Sequence, residues 1–416
     1  MRISLAVFLS TSAFVHAGMA AEAVTYRGTL AKLPIIVELK EPDAKGNFVG
    51  RYSYESKALD IPLHGKVLKN GKFQIREEEP CTEKTCMNNA GEMLEKAPLS
   101  FEWTLSKDGA NLTGTWIDKK KGKSLPLALT KVGSRTLPES DIVDPTILNP
   151  DMIDLSVNTP TKENLPYDAL KMEFPLKAGD TQKIGDVTYR MDVDTRINLA
   201  YPTILKAGSF EPGPVNDYIK QRRFEVSIDT FSCLAATYLS YGWSGTFAEA
   251  NTKVAVEYAS EHLFGFAENA DFYCGGAHPN ITTKHKLVDV ETGEDVFPET
   301  LLSGLVAKDY DGKVVDAVEA DNPSSLIYET NEKLVKYILD HLDPAIDPAL
   351  TSECGYPDLI KTNLAVYFTP DNLVFTLREL PQVSAACAVD LTKVPLKDAG
   401  PYLNKEGKSY FEGIVK

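Results

Sequence analysis

The sequence predicts an α+β protein in which an all-β meander or small barrel precedes a domain of antiparallel sheet and helices. Turn signals at roughly ten-residue spacing over residues 22–132 are typical of an all-β module. Residues 133–168 are proline-rich and acidic, which indicates a linker. Residues 169–416 mix strand and helix patterns with hairpin signals, which favours α+β.

Residues 1–21 form the pattern of a secretory signal peptide. Arg2 supplies a positive charge, Ile3 to Val15 are largely apolar, and small residues follow up to the expected cleavage point near Ala20 or Ala21. The apolar run is shorter than the roughly 18 residues that a membrane span needs, and no later segment is apolar enough. We therefore expect a protein without a membrane span, located in the periplasm or outside the cell.

The first module reads as strands separated by two-residue turn signals such as Asn70-Gly71 and Asp108-Gly109. Within it, a glycine is twice followed two residues later by an aromatic residue, in Gly50-Arg51-Tyr52 and Gly114-Thr115-Trp116. This pattern resembles strands of lipocalin-like and avidin-like barrels. It favours a packing role over a ligand site.

The second module is predicted element by element from its periodicity. The pattern predicts strands at 187–199, 224–231 and 251–264, helices at 214–224 and 322–342, a hairpin at 364–377, and a short helix ending the segment 393–403.

Six cysteines follow the signal peptide, an even number that suits an oxidising compartment. Cys81 and Cys86 share one polar loop, so they are expected to pair with each other. Asp371 lies in the turn of the predicted hairpin, and Cys354 and Cys387 are nearly the same number of residues before and after it. An antiparallel pair of strands would therefore bring these two cysteines towards each other. No Cys-x-x-Cys pair supports a metal site. The predicted disulfides are Cys81–Cys86, Cys233–Cys274 and Cys354–Cys387.

The charge of the chain, −15 overall, is divided unequally between the modules. Residues 22–131 contain 18 basic and 15 acidic residues, whereas residues from 133 onward contain 25 basic and 44 acidic residues, a net charge of −19. Such a chain is not expected to bind nucleic acid, because phosphate contacts need a basic surface. The acidity of the second module favours a cationic partner, and plain solubility is the alternative explanation.

The most specific motif is Gly275-Gly276-Ala277-His278-Pro279-Asn280, followed by residues 289–297 and preceded by 198–202 and 216–219. With Leu380-Pro381 and the segment up to 403, this order resembles the extracellular domain of RsiV-type lysozyme-sensing anti-sigma factors. The same domain accompanies PdaC-type peptidoglycan deacetylases. The resemblance covers about residues 187–403 and implies an α+β binding domain of the cell envelope, with lysozyme as the partner of the best understood relative. This sequence departs from that relative because it is expected to lack a cytoplasmic segment and because it has six cysteines and the β module.

The candidate binding residues are Gly275, Gly276, Ala277, His278, Pro279 and Asn280. Paired glycines let the backbone form a tight turn, and His278 could contact a ligand or accept a proton near neutral pH. The alternative is a hydrogen-bonded histidine that only holds the turn.

Enzyme signatures are missing from the sequence: it has no Gly-x-Ser-x-Gly, phosphate-binding loop or His-Glu-x-x-His motif. The pair Asp192 and Asp194 could serve glycoside hydrolysis only if it is more than a chance pairing, and Asp309-x-Asp311 lacks the closing glutamate of a calcium loop. We predict no catalytic residue, metal or cofactor. The leading hypothesis is an exported envelope protein that captures a cationic protein such as lysozyme. The alternative is a peptidoglycan hydrolase or accessory domain around His278.

Overall fold

The computed structural model describes residues 21–80, 98–137, 161–235, 249–274, 279–320, 322–377 and 380–416, with the isolated positions 85, 88, 90, 92 and 94. The signal peptide, Cys81 and Cys86, residues 138–160 of the predicted linker, and Gly275 to His278 lie outside the described residues.

The first module is a closed barrel of eight antiparallel strands, each paired with its neighbours in sequence, with β1 also paired to β8. The strands are β1 (Glu22–Leu30), β2 (Leu33–Lys40), β3 (Asn47–Tyr54), β4 (Ile61–Val67), β5 (Phe73–Glu78), β6 (Leu99–Asp108), β7 (Asn111–Asp118) and β8 (Lys123–Thr136). The predicted turn signals lie between strands, and Gly71 and Gly109 take positive φ there. Gly109-Ala110 is the two-residue turn between β6 and β7, whereas Asn70-Gly71 lies within the longer connection 68–72 between β4 and β5. The predicted small barrel is therefore confirmed.

The two Gly-x-aromatic segments place their aromatic rings inside the barrel. A Cβ on Gly114 would lie 1.9 Å from the carbonyl oxygen of Thr104, so only glycine allows β7 to approach β6 this closely. Tyr52 and Trp116, two residues after the glycines, point into an interior filled by apolar side chains.

One carboxylate, that of Glu77, lies within this apolar interior. It accepts hydrogen bonds from the indoles of Trp103 at 2.7 Å and Trp116 at 2.6 Å and from the hydroxyl of Tyr52 at 2.9 Å. Burial raises the pKa of Glu77, and the three donors oppose that rise only in part. The aromatic positions of the repeated motif thus share one acceptor.

This raised pKa predicts a pH-dependent stability. The folded state holds the Glu77 proton more tightly than the unfolded chain, so stability from this group is complete below its unfolded pKa and declines as pH rises through its folded pKa. Glu77→Gln keeps an acceptor but cannot ionise. We expect its stability to rise relative to wild type between pH 4 and pH 8, as measured by denaturant unfolding.

Glu102→Gln is a control of opposite sign. A hydrogen bond from Lys119 lowers the pKa of Glu102, so this carboxylate contributes stability above its unfolded pKa that is lost as pH falls. Its glutamine variant should lose stability relative to wild type as pH rises. If the free energies of unfolding of wild type and Glu77→Gln change in parallel with pH, the raised pKa assigned to Glu77 is contradicted.

Within its described residues, the second module contains four small antiparallel sheets and a set of helices. The strands are β9 (Lys177–Ile184), β10 (Val187–Asp194), β11 (Leu199–Lys206), β12 (Glu249–Ala259), β13 (Leu263–Tyr273), β14 (Asn280–Asp289), β15 (Leu305–Lys308), β16 (Ile327–Thr330), β17 (Leu364–Phe368), β18 (Asn372–Leu377) and β19 (Thr392–Pro395). The helices are α1 (Pro166–Lys171), α2 (Pro212–Ala235), α3 (Glu332–Asp340), α4 (Pro348–Glu353), α5 (Tyr356–Asn363) and α6 (Lys405–Tyr410). This mixture confirms the predicted α+β class.

Two apolar cores hold these elements together. The long helix α2 packs with β10, β11 and β13 around Val215, Ile219 and Phe266. A second core joins the β17–β19 sheet, which includes the predicted hairpin, to α3, α5 and the C-terminal segment around Ile360, Phe375 and Phe411.

One predicted element was wrong, and another was right only in its second half. Residues 224–231 are not a strand but the middle of α2. The helix is buried on two sides, with Val226 in the core and Phe231 beneath Lys171 and Arg196. Its apolar residues therefore alternate with polar residues in the sequence, as they would in a strand. The predicted helix 322–342 is instead a 3-10 turn, strand β16 and helix α3, which begins after Asn331 because the Asn331 side chain accepts from the Leu334 amide.

The segment 393–403 was also predicted imperfectly, because it contains strand β19 and two 3-10 turns rather than a short helix. Two prolines in this segment, Pro395 and Pro401, each remove a helical amide donor.

Helix α1 attaches the second module to the outer wall of the barrel. Arg51 on β3 donates to Glu38 at 2.9 Å, Asp60 at 3.0 Å and Asp168 at 2.8 Å, and its guanidinium stacks on the Tyr167 ring at 4.2 Å. The predicted boundary between residues 168 and 169 falls within this helix. The joint is therefore a buried ionic network.

Candidate functional site

The second module contains a cleft of about 730 Å³ between α2 and the β12–β14 sheet. We call it the α2 cleft. Its lining residues come from α2, from the three strands, and from residues 380–383 at one side.

The sheet forms the floor of the α2 cleft as three cross-strand rows. These rows are Ala250–Phe272–Asn280, Thr252–Ala270–Thr282 and Val254–Glu268–Lys284. Alternate residues of a strand face the same side, so Glu268, Ala270 and Phe272 on the central strand all point into the cleft.

The roof is one face of α2. Arg222, Val226, Asp229, Thr230 and Cys233 recur at helical spacing and line the cleft together. Cys233 is bonded to Cys274 with 4.7 Å between their Cα atoms, so a covalent bridge ties the end of the roof to the end of the central floor strand.

Both disulfides that lie within the described residues match the predicted pairing. Cys233 bonds Cys274, and Cys354 bonds Cys387 with a Cα separation of 5.7 Å. The predicted Cys81–Cys86 bridge lies outside the described residues. Two formed disulfides fit an oxidising compartment such as the periplasm or the extracellular space.

A buried ionic cluster fixes the distance between roof and floor. The guanidinium of Arg222 donates to both oxygens of Glu268, at 2.9 and 2.8 Å, and Tyr201 donates to the same carboxylate. Glu268 raises the pKa of the Arg222 guanidinium, and burial raises the pKa of Tyr201. Both groups keep their protons at any physiological pH, so this cluster holds the architecture rather than transferring protons.

The groups left for a ligand are mixed in character. Lys284 is exposed and has no ion pair within the described part of the chain. The amide of Asn280 and the hydroxyls of Thr252 and Thr282 add neutral donors and acceptors. At the opening, Ile281 is 56% exposed and Val383 is 96% exposed, so the lip of the cleft is apolar. This arrangement suits binding of a segment with an apolar tip.

The structure places the predicted site residues around this cleft only in part. Asn280 lines it and Pro279 immediately precedes Asn280, whereas Gly275 to His278 lie outside the described residues. Leu380 and Pro381, from the downstream part of the same resemblance, line the cleft as well. Segments about 100 residues apart in the chain therefore meet at one opening.

Sequence reasoning missed Arg222, Glu268, Lys284 and Val383. The alternation of Asn280, Thr282 and Lys284 along β14 was a readable signal for a common face. The helical spacing of Arg222 and Val226 was hidden because 224–231 was assigned to a strand.

Both carboxylates of the acidic pair considered for hydrolysis form ion pairs with arginines. Asp192 pairs with Arg190 at 2.7 Å, and Asp194 pairs with Arg196 at 2.6 Å. His285 pairs with Glu257 and stacks on Tyr367. Within the described ranges, no group of three metal-ligating side chains could hold an ion, and no helix has the length and apolar character to cross a membrane.

Comparisons with known proteins add little. No family model and no curated protein matches the chain. Among solved structures, a double mutant of the vaccine antigen transferrin-binding protein B from Haemophilus parasuis Hp5 overlaps at 7% identity and a TM-score of 0.17, covering 90% of this chain and 68% of that one. At that TM-score the overlap carries no argument about fold or function.

Proposed function

We propose that this protein is an exported binding protein of the bacterial cell envelope whose acidic second module captures a cationic protein, with c-type lysozyme as the candidate. The observation that carries the proposal is the α2 cleft, an open cavity with an apolar lip, in the part of the chain with a net charge of −19. The resemblance of residues 187–403 to RsiV-type domains supports the same partner.

The two features have separate roles in capture. The negative field of the module accelerates encounter with a cationic protein and weakens with added salt. The cleft then receives a protruding segment of the partner, whose apolar side chain is buried between Ile281 and Val383. The Cys233–Cys274 bridge keeps roof and floor in place, so little ordering is needed on binding.

Calorimetric titration of the mature protein with c-type lysozyme at physiological salt tests this proposal, together with a lysis assay. We expect micromolar or tighter binding that weakens as salt is raised. The double variant Ile281→Ser with Val383→Ser should raise Kd by about tenfold or more, because each buried apolar side chain contributes about 1.5–3 kcal/mol.

Val132→Ser is the matched control, since Val132 is an exposed valine on the barrel and 47% accessible. Its Kd should equal that of wild type. Flat heats with unaffected lysis would exclude lysozyme as the partner. If the Kd for lysozyme is unchanged by the substitutions at Ile281 and Val383, the cleft is not the binding site for lysozyme.

Peptidoglycan is the second candidate ligand, and Lys284 is the observation that favours it. Its ammonium lacks an ion pair within the described residues and is flanked by Thr282 on the same face of β14, which suits the carboxylates and hydroxyls of a muropeptide. Titration with muropeptide fragments, with Lys284→Met as the loss variant, separates the two ligands. Turnover that His278→Ala abolishes would favour a hydrolase over a binding protein.

A further inference from the structure

A second surface of the second module, which shares no lining residue with the α2 cleft, exposes five large apolar side chains. We call residues 305–320 and 322–327, which run from β15 to the start of β16, the acidic hairpin. Its exposed members include Tyr310, which is 96% accessible, and Val314, which is 62% accessible, and the others are Val306, Val318 and Ile327. Apolar side chains clustered at one surface indicate an interaction site.

A groove of about 470 Å³ lies beside these side chains. Val306, Val314 and Val318 belong both to its lining and to the exposed set, so the groove continues the apolar surface inward. Its inner wall is made of Leu302, Leu305, Ala307 and Tyr328. The groove can accept an apolar side chain from a partner.

The rim of this groove is negative. Residues 305–332 contain two basic and seven acidic residues. The basic residue Lys308 is neutralised by Glu329 at 2.7 Å. Burial raises the pKa of Glu406, and the nearby charge of Asp316 raises it further. Asp316 lines the groove, whereas Glu406 lies outside the groove lining but feels the charge of Asp316.

The hairpin tip is held in shape by its own backbone. The Asp309 carboxylate accepts from the amides of Asp311 at 3.1 Å and Lys313 at 2.9 Å, and Gly312 takes φ +80°. This Asx turn explains the calcium-like spacing of the sequence, because the oxygen of Asp309 is used by backbone amides. Tyr310 lies in this turn and is exposed to solvent.

We infer that the acidic hairpin docks a basic segment of the cationic partner, placing an apolar side chain in the groove and a lysine or arginine side chain against Asp316. A cation at Asp316 also reduces the repulsion between Asp316 and Glu406. An exposed tyrosine can also receive a cation on its ring face. The inference rests on the proposed function for the cationic nature of the partner, but it assigns a surface independent of the α2 cleft.

Two kinds of variant of the mature protein test the inference. Tyr310→Ser with Val314→Ser removes apolar area, and Asp316→Lys reverses one charge of the rim. Their matched controls are Val132→Ser on the barrel and Asp180→Lys on β9, an exposed site that gives the same change in net charge. Circular dichroism melting verifies that each variant folds.

The probes are c-type lysozyme and a synthetic peptide of alternating lysine and leucine. We expect wild type to bind both, and each hairpin variant to raise Kd at least tenfold, while the controls change Kd less than twofold. Asp180→Lys therefore separates local charge from net charge.

The outcomes distinguish the inference from the proposed function. Lysozyme binding that is sensitive to Ile281 and Val383 but not to the hairpin variants overturns the inference and leaves the proposed function intact. Peptide binding that the hairpin variants abolish, without any lysozyme binding, supports the inference and rejects lysozyme. Failure of both probes, or self-association of the chain that the hairpin variants abolish, overturns the assignment to a cationic partner.

Discussion

Replacing Arg51 with methionine is expected to lower the free energy of unfolding by about 3–5 kcal/mol, because it leaves buried carboxylates without their counter-ion. Arg51 is 3% exposed and bonds three carboxylates. Glu38 retains Arg135 at 2.7 Å, and Asp60 retains Lys171 at 2.6 Å. Among the described residues, Asp168 retains only the more distant cation of Lys171, at 3.8 Å, and it therefore accounts for most of the expected loss.

Denaturant unfolding followed by tryptophan fluorescence measures this loss, since Trp103 and Trp116 lie in the barrel interior. Arg27→Met is the matched control, because Arg27 pairs with Glu55 and Glu173 while 40% of its side chain is exposed. Such an exposed pair contributes about 0–1 kcal/mol.

A double variant, Arg51→Met with Asp168→Leu, should recover part of the stability by removing the orphaned charge. A loss for Arg51→Met no larger than that for Arg27→Met would show that the network at the joint is not a stabilising one.

Removal of the Cys233–Cys274 bridge by serine at both positions is expected to destabilise the second module by about 2–4 kcal/mol. The bonded residues are 41 positions apart, so the bridge restricts a long loop of the unfolded chain. It also joins roof and floor of the α2 cleft, so the variant should bind the partner more weakly even where it remains folded. Thermal unfolding under non-reducing conditions, followed by titration at a temperature where the variant is folded, measures both effects.

The Cys354–Cys387 bridge provides the comparison. Its residues are 33 positions apart, so serine at both sites should destabilise by a similar amount. Cys354 and Cys387 belong to the core around the β17–β19 sheet and not to the cleft lining. Equal loss of binding in the two variants would indicate that stability, not cleft geometry, governs capture.

The sequence predicted those features that depend on neighbouring residues. Turn signals such as Asn70-Gly71 predicted the barrel strands, because a hairpin is specified by its local turn chemistry. The position of Cys354 and Cys387 on either side of one hairpin predicted their bridge. The acidity of the second module could be predicted by counting its charged residues.

The tertiary structure decided what depends on residues far apart in the chain. The sequence pattern of α2 predicted a helix followed by a strand, although the whole segment is one helix. The helix is buried on two sides, and the spacing of apolar residues depends on which faces are buried as well as on the backbone conformation. Arg51 meets Asp168 across 117 residues, and Glu77 collects donors from three other strands of the barrel. The α2 cleft likewise requires a helix, a sheet and residues 380–383 to pack together. Local patterns determine which elements form, whereas the buried charges and the cleft arise only when burial brings distant side chains into a common low-dielectric environment.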